Sequence, residues 1–217
     1  MSCICLPTSI GEAIDKLTIL DIKLERITDG SRKTDVQREH DALLKYSELN
    51  EFIQNHSDLY NTMKKANAII WDMMDVLRDG AARISNEEYL KTCKECIEFN
   101  DIRFRIKNRI NQASNSELRE QKSYKTTVFK LTLVGLNASH DAIVQRTLQR
   151  PMQYYGILYD EVQLVQTQTI HADACASDST ILTFNEDISH IMSDEILLKQ
   201  YIYSALSVSD ALMDKLL

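Results

Sequence analysis

Residues 9–27 read SIGEAIDKLTILDIKLERI. At about 100° per residue, Ile10, Ala13, Ile14, Leu17, Leu20, Leu24 and Ile27 gather into one broad apolar stripe, the mark of a helix that covers a core. Asp21 nevertheless falls inside that stripe, and Ile19 and Ile22 fall among the charges opposite. An ion set into an apolar stripe needs a partner, and an apolar residue on a charged face needs cover. The stretch therefore predicts a helix wrapped on more than one side by protein or by a ligand. Ser9 with Glu12 has capping-box spacing and marks its start.

Outward from this helix the pattern stays helical to about residue 122; after Gly11 that span holds only Gly30 and Gly80 as glycines, and no proline. The first helix should run to about Thr28 and break at Asp29-Gly30-Ser31. Further helices are expected over Asp35–Asn55, Ser57–Arg78 and Asn86–Gln112. Four helices joined by short turns make an antiparallel bundle or long hairpins. Then the period changes. Residues 126–136, TTVFKLTLVGL, are β-branched and apolar and predict a strand. A short helix follows over His140–Arg150, capped by Ser139 and ended by Pro151. Strands are expected over Ile157–Val165 and Ile181–Phe184, and a long amphipathic helix over Ser193–Leu217. The expected class is α+β, mainly α: a helical bundle or hairpin over 1–124, followed by a small α+β lobe over 125–217. No Gly-rich phosphate loop is present, so a dinucleotide or P-loop role has little support.

The chain has 217 residues, 44% of them hydrophobic and 26% charged, as in an ordinary globular protein. A net charge of −7 argues against duplex nucleic acid or an anionic membrane as the main partner, since both need a dense basic field. No apolar run approaches the ~20 residues of a membrane span. Met1–Thr8 lacks the basic start of a secretory signal, so the cytoplasm is the expected address. Five cysteines, an odd number, agree with a reduced compartment. Cys3 and Cys5 with Cys93 and Cys96 would supply four thiolates to a zinc ion, but the simpler reading makes Cys93 and Cys96 small core residues.

The string Ile10-Gly11-Glu12-x-x-Asp15-Lys16-x-Thr18-Ile19-Leu20-x-Ile22-Lys23-x-Glu25-Arg26-Ile27 resembles the opening of an uncharacterised helical family of bacteria. Two later blocks fit the same family: Trp71-Asp72-x-x-Asp75, and Asn100-Asp101-x-Arg103 with Lys107 and Lys122-Ser123-Tyr124. The resemblance covers roughly residues 4–125. It carries no established activity. Members tend to be encoded near glycosyltransferases and surface-polysaccharide genes, which implies a sugar-pathway setting.

Two constellations carry potential chemistry. Asp72 and Asp75 share a face of the third helix, and Glu98 and Asp101 share one on the fourth. If those faces meet, four carboxylates converge as a Mg²⁺ site, resembling the paired-acid hairpin of the all-α nucleoside triphosphate pyrophosphohydrolases. The plainer reading makes them solvated acids with (i, i+4) partners such as Lys94 with Glu98. On the first helix, Glu12, Lys16, Lys23 and Arg26 lie within about 80° of one another. With Asn100 and Arg103 they would bind a phosphate or carboxylate. Alternatively they form a charged helix–helix seam, with Asp21 meeting Arg103 or Arg105.

The leading expectation is a non-catalytic or accessory module of a cell-surface sugar pathway, without a cofactor, that binds a partner protein or a sugar nucleotide. The rivals are the Mg²⁺-dependent pyrophosphohydrolase and a structural homo-oligomer paired through the C-terminal helix.

Overall fold

Side-chain caps set the starts of three helices in the amino-terminal half. In the computed structural model, which describes residues 6–79, 84–118, 120, 126–169, 179–184, 189–192 and 194–217, helix α1 spans Ile10–Arg26. The Ser9 hydroxyl accepts the Glu12 amide at 3.1 Å, which satisfies one of the donors a helix start leaves open. Asp29 caps α2 (Gly30–Leu43) by accepting from the Arg32 amide. Helices α3 (Ser47–Asn55) and α4 (Ser57–Asp79) follow, and Ser85 and Glu88 form a reciprocal capping box on α5 (Asn86–Ala113). α5 ends with Asn115 at φ 51°, the Ser116 amide reaching back to the Asn111 carbonyl at 2.8 Å. That is the left-handed stop which asparagine tolerates.

The chain divides into two compact units, residues 1–123 and 124–217. In the first, α1 lies centrally and packs against α2, α4 and α5. Its Ile14, Leu17, Leu20 and Ile22 are fully buried, together with Met63 and Ala66 of α4 and Ile106 and Ile110 of α5. Each of the isoleucine, leucine and methionine side chains contributes roughly 1.5–3 kcal/mol by leaving water. Burial of Ile22, on the charged side of the helical wheel, shows that α1 is covered over more than its apolar stripe.

The second unit is a three-stranded parallel sheet ordered β2-β1-β3, with β1 at Val128–Val134, β2 at Glu161–Thr167 and β3 at Ser179–Thr183. Leu131 pairs with Leu164 on one side and Thr180 on the other. Central β1 therefore reads as the near-continuous apolar run of a buried parallel strand. Helix α6 (Asp141–Leu158) links β1 to β2, and α7 (Ser189–Met192), α8 (Glu195–Ala205) and α9 (Asp210–Met213) follow β3. Phe129, Leu131 and Leu133 of β1, Val144 and Leu148 of α6, and Leu198 and Ile202 of α8 form its core. Phe129 stacks on Tyr155 with ring centroids 4.0 Å apart.

Several expectations need correction. The helix expected over 35–55 is two, because the Asn50 side chain donates to the Leu44 and Tyr46 carbonyls and closes a turn there. Pro151 does not end α6: Val144, Leu148, Pro151, Tyr154 and Ile157 are all buried, so packing carries the helix through the missing N–H. Ile157 and Leu158 thus belong to α6, and the second strand starts only at Glu161. Ser139 is not the α6 cap; its hydroxyl turns to Asn137, and His140 holds the cap position without a side-chain bond. The last helix is not continuous. Ser207 at φ 53° and the Val208 amide on the Tyr203 carbonyl form a Schellman stop, which divides the expected helix into α8 and α9.

Candidate polar seam and cavities

Gly11 brings α1 and α5 into close approach. Its amide donates to Asn111 Oδ1 at 2.8 Å, and a Cβ there would lie 2.6 Å from that oxygen and 2.7 Å from the Lys107 carbonyl. Glycine is required at this contact for space, not for an unusual φ.

One turn on, the close approach holds an ion pair. Asp15, 3% exposed, accepts from Arg103 Nε at 2.8 Å and Nη2 at 2.6 Å. Asn67 Nδ2 of α4 donates to the same carboxylate at 2.9 Å and to the Thr18 hydroxyl at 3.0 Å. Thr18 in turn donates to the Asp15 carbonyl. Three helices therefore share one network whose members Asp15, Thr18 and Asn67 are all buried. The Asp15 hydrogen bond holds the Arg103 guanidinium above its usual range against the opposing effect of burial. Lys107, 9% exposed, reaches Glu12 at 2.7 Å and Glu120 at 2.5 Å. Burial works to lower its pKa, and the bonds to these two acids outweigh it and raise it.

The misfit Asp21 is likewise enclosed. His40 Nε2 of α2 lies 3.0 Å from Oδ1, Tyr60 of α4 donates to Oδ2, and Lys64 lies 3.6 Å away. Burial first, and then the hydrogen bond to Asp21, push the Tyr60 phenol well above its ordinary range. The expectation that Asp21 meets Arg103 or Arg105 is corrected: its partners are His40, Tyr60 and Lys64, and Arg103 is committed to Asp15, nearly two turns earlier.

The other sequence-predicted residues separate. Lys16 pairs with Glu39 of α2 at 2.7 Å, half in solvent. Arg26 clasps Asp72 with both terminal nitrogens. Glu12 and Lys16 line an apolar groove of about 630 Å³ with Leu6, Ile10, Leu43, Tyr46 and Leu49. Asn100 and Arg103 instead line a polar cavity of about 140 Å³ with Phe104, Lys107 and Glu120. Lys23 is half-buried and, like Arg26, lines neither of these two. Of the six candidates, two line the groove, two line the small cavity, and Lys23 and Arg26 line neither.

The carboxylates of α4 and α5 do not gather either. Asp72 is taken by Arg26, while Asp75 and Glu98 are exposed and Asp101 is half-buried. Among the described residues, no group of three or more His, Cys, Asp or Glu side chains is arranged to hold a metal ion. Cys96 is buried and Cys93 half-buried on α5. Cys3, Cys5 and the Lys122-Ser123-Tyr124 block lie outside the described residues.

Sequence reasoning gave no site role to Asn67, Asn111, Tyr60 or His40. Asn67 sits amid the apolar run Ala66 to Trp71, and Asn111 follows Ile110; a short amide at a core-facing position is the available sign.

Comparison with curated proteins and with solved structures finds no match. A family model does match, over residues 6–138, more than half of the chain. It takes in the whole described helical unit and also β1, further than the motif blocks reach. Gly11, Asp15, Arg103 and Asn111 all fall within the matched span, and the chain belongs to a family of unknown function, DUF6165.

Proposed function

We propose that this protein is a non-catalytic accessory module of a cell-surface sugar pathway that binds a partner protein through its helical unit. The observation that carries this reading is the state of the acids. Asp15 has both oxygens engaged, Asp21 has three partners, and Glu12 is held by Lys107. A general base must reach the substrate proton with an available oxygen, and these acids spend theirs on neighbouring helices. Beside them opens the groove of about 630 Å³, within the size range of binding clefts and walled mainly by aliphatic side chains and Tyr46. An apolar helix face of a partner suits it. The sugar-pathway setting rests on the gene neighbourhoods of the family that the opening motif resembles.

The test is co-elution of this chain with purified glycosyltransferases of surface-polysaccharide synthesis. Tyr46→Glu and Leu6→Glu, both at well-exposed positions of the groove, should abolish co-elution while circular dichroism stays unchanged. Tight binding of a sugar nucleotide alone would move the role from protein to nucleotide. Release of pyrophosphate and a nucleoside monophosphate from nucleoside triphosphates with Mg²⁺, abolished by Asp101→Asn in a folded protein, would overturn the reading.

A further inference from the structure

The small polar cavity of α5 has a different character from the apolar groove. Its lining brings together two cations, Arg103 and Lys107, with the Asn100 amide and one acid, Glu120. Arg103 uses Nε and Nη2 on Asp15, so its second edge, at Nη1, is not spent on that acid. Lys107 has three donors; Glu12 takes one from the α1 side, and Glu120 takes another from beyond the end of α5. The two acids differ in attachment. Glu12 sits on central α1 one turn after the Ser9 cap, whereas Glu120 lies past the α5 stop at Asn115. Glu120 keeps 37% of its side chain in solvent against 11% for Lys107.

We infer that this cavity is a receptor for a small carboxylate and that Glu120 is its built-in competitor. A guanidinium edge beside an ammonium is the arrangement that grips a carboxylate with charge-assisted bonds. Glu120 already presents such a carboxylate to Lys107, which fixes the ligand class by imitation. Among the described residues the acids also outnumber the cations here: Asp15, Glu12 and Glu120 pair with Arg103 and Lys107. An entering carboxylate must displace Glu120, not add to it. Asn100 donates its Nδ2 to the Cys96 carbonyl at 2.8 Å, which leaves Oδ1 as an acceptor. A ligand that carries a hydroxyl next to its carboxylate satisfies that acceptor, so a 2-hydroxy acid fits better than a plain one. The volume of about 140 Å³ holds only a small molecule of this kind.

Glycolate and acetate, titrated calorimetrically into the full chain at constant ionic strength against chloride, test this. Glu120→Gln removes the competing charge and should tighten glycolate binding by about tenfold, with acetate weaker than glycolate. Lys107→Gln in the Glu120→Gln background should abolish binding. Circular dichroism and the unfolding midpoint report whether each variant is folded. If Lys107→Gln fails to fold, Asn100→Ala in the same background replaces it and should erase the preference for glycolate over acetate. Equal affinity of wild type and Glu120→Gln, or binding that survives loss of Lys107, would overturn the inference. Neither result bears on the apolar groove.

Discussion

Arg103 clasps Asp15 across 88 residues of sequence, through Nε at 2.8 Å and Nη2 at 2.6 Å. The carboxylate is almost wholly out of water, so removing one partner strands the other charge in the interior. Arg103→Leu should therefore lower stability by about 3 kcal/mol or more in denaturant unfolding. Arg103→Lys should recover only part of this, because an ammonium lacks the planar fork that engages both carboxylate oxygens.

The contact at Gly11 gives an opposite pair of alanine substitutions. Gly11→Ala drives a methyl into Asn111 and the Lys107 backbone. It should cost more than about 1 kcal/mol, although alanine is the better helix former. Gly30→Ala meets nothing within 4 Å and should raise stability by roughly half a kcal/mol. Thermal unfolding of both variants checks the sign of each change.

The same contacts separate what the sequence makes legible from what it hides. The misplaced Asp21 in residues 9–27 announces a covered helix, and its side chain meets partners from α2 and α4, while Asp15, which the pattern does not single out, is buried against α4 and α5. Periodicity locates the helix starts behind Ser9 and Ser85, but it misses the one behind Asp29: α2 begins at Gly30, five residues ahead of the expected Asp35. It cannot choose the partner, because Asp21 meets His40, Tyr60 and Lys64, on helices whose rotation about their axes is settled only by packing. Local rules also yield to tertiary burial at Pro151. The break in the last helix at Ser207 depends on main-chain bonds that any residue other than proline can make, so no side chain foretells it. The Asp-x-x-Asp spacing of α4 is real, yet Asp72 finds a cation from α1 before it finds the acids of α5.

Arg26 and Asp72 supply the contrasting case. Both belong to the motif blocks, but their side chains keep 33% and 66% of their surface in water. Solvent and salt screen such a pair. Arg26→Ala should lower stability by less than about 1 kcal/mol, with the loss shrinking further in high salt. A larger loss would mean that this motif residue supports more than its visible partner.

Alkaline pH should loosen both units. Burial and Asp21 raise Tyr60; in the second unit burial, followed by the neighbouring Tyr159 and Tyr154, pushes Tyr155 up to about 12. A group with a raised pKa in the folded state contributes its stability fully below the unfolded value, near pH 10 for tyrosine, and loses it as pH climbs through the folded value. Unfolding midpoints should therefore fall above about pH 10. Tyr60→Phe should flatten that fall for the first unit and Tyr155→Phe for the second.

The most direct measurement is a double-mutant cycle on Asp15→Ala and Arg103→Ala, read by denaturant unfolding. If the ions of α1 are held by its neighbours and fix how the helices meet, the two residues should show a coupling of about 2 kcal/mol or more. Additive losses, with coupling below about 0.5 kcal/mol, would contradict it.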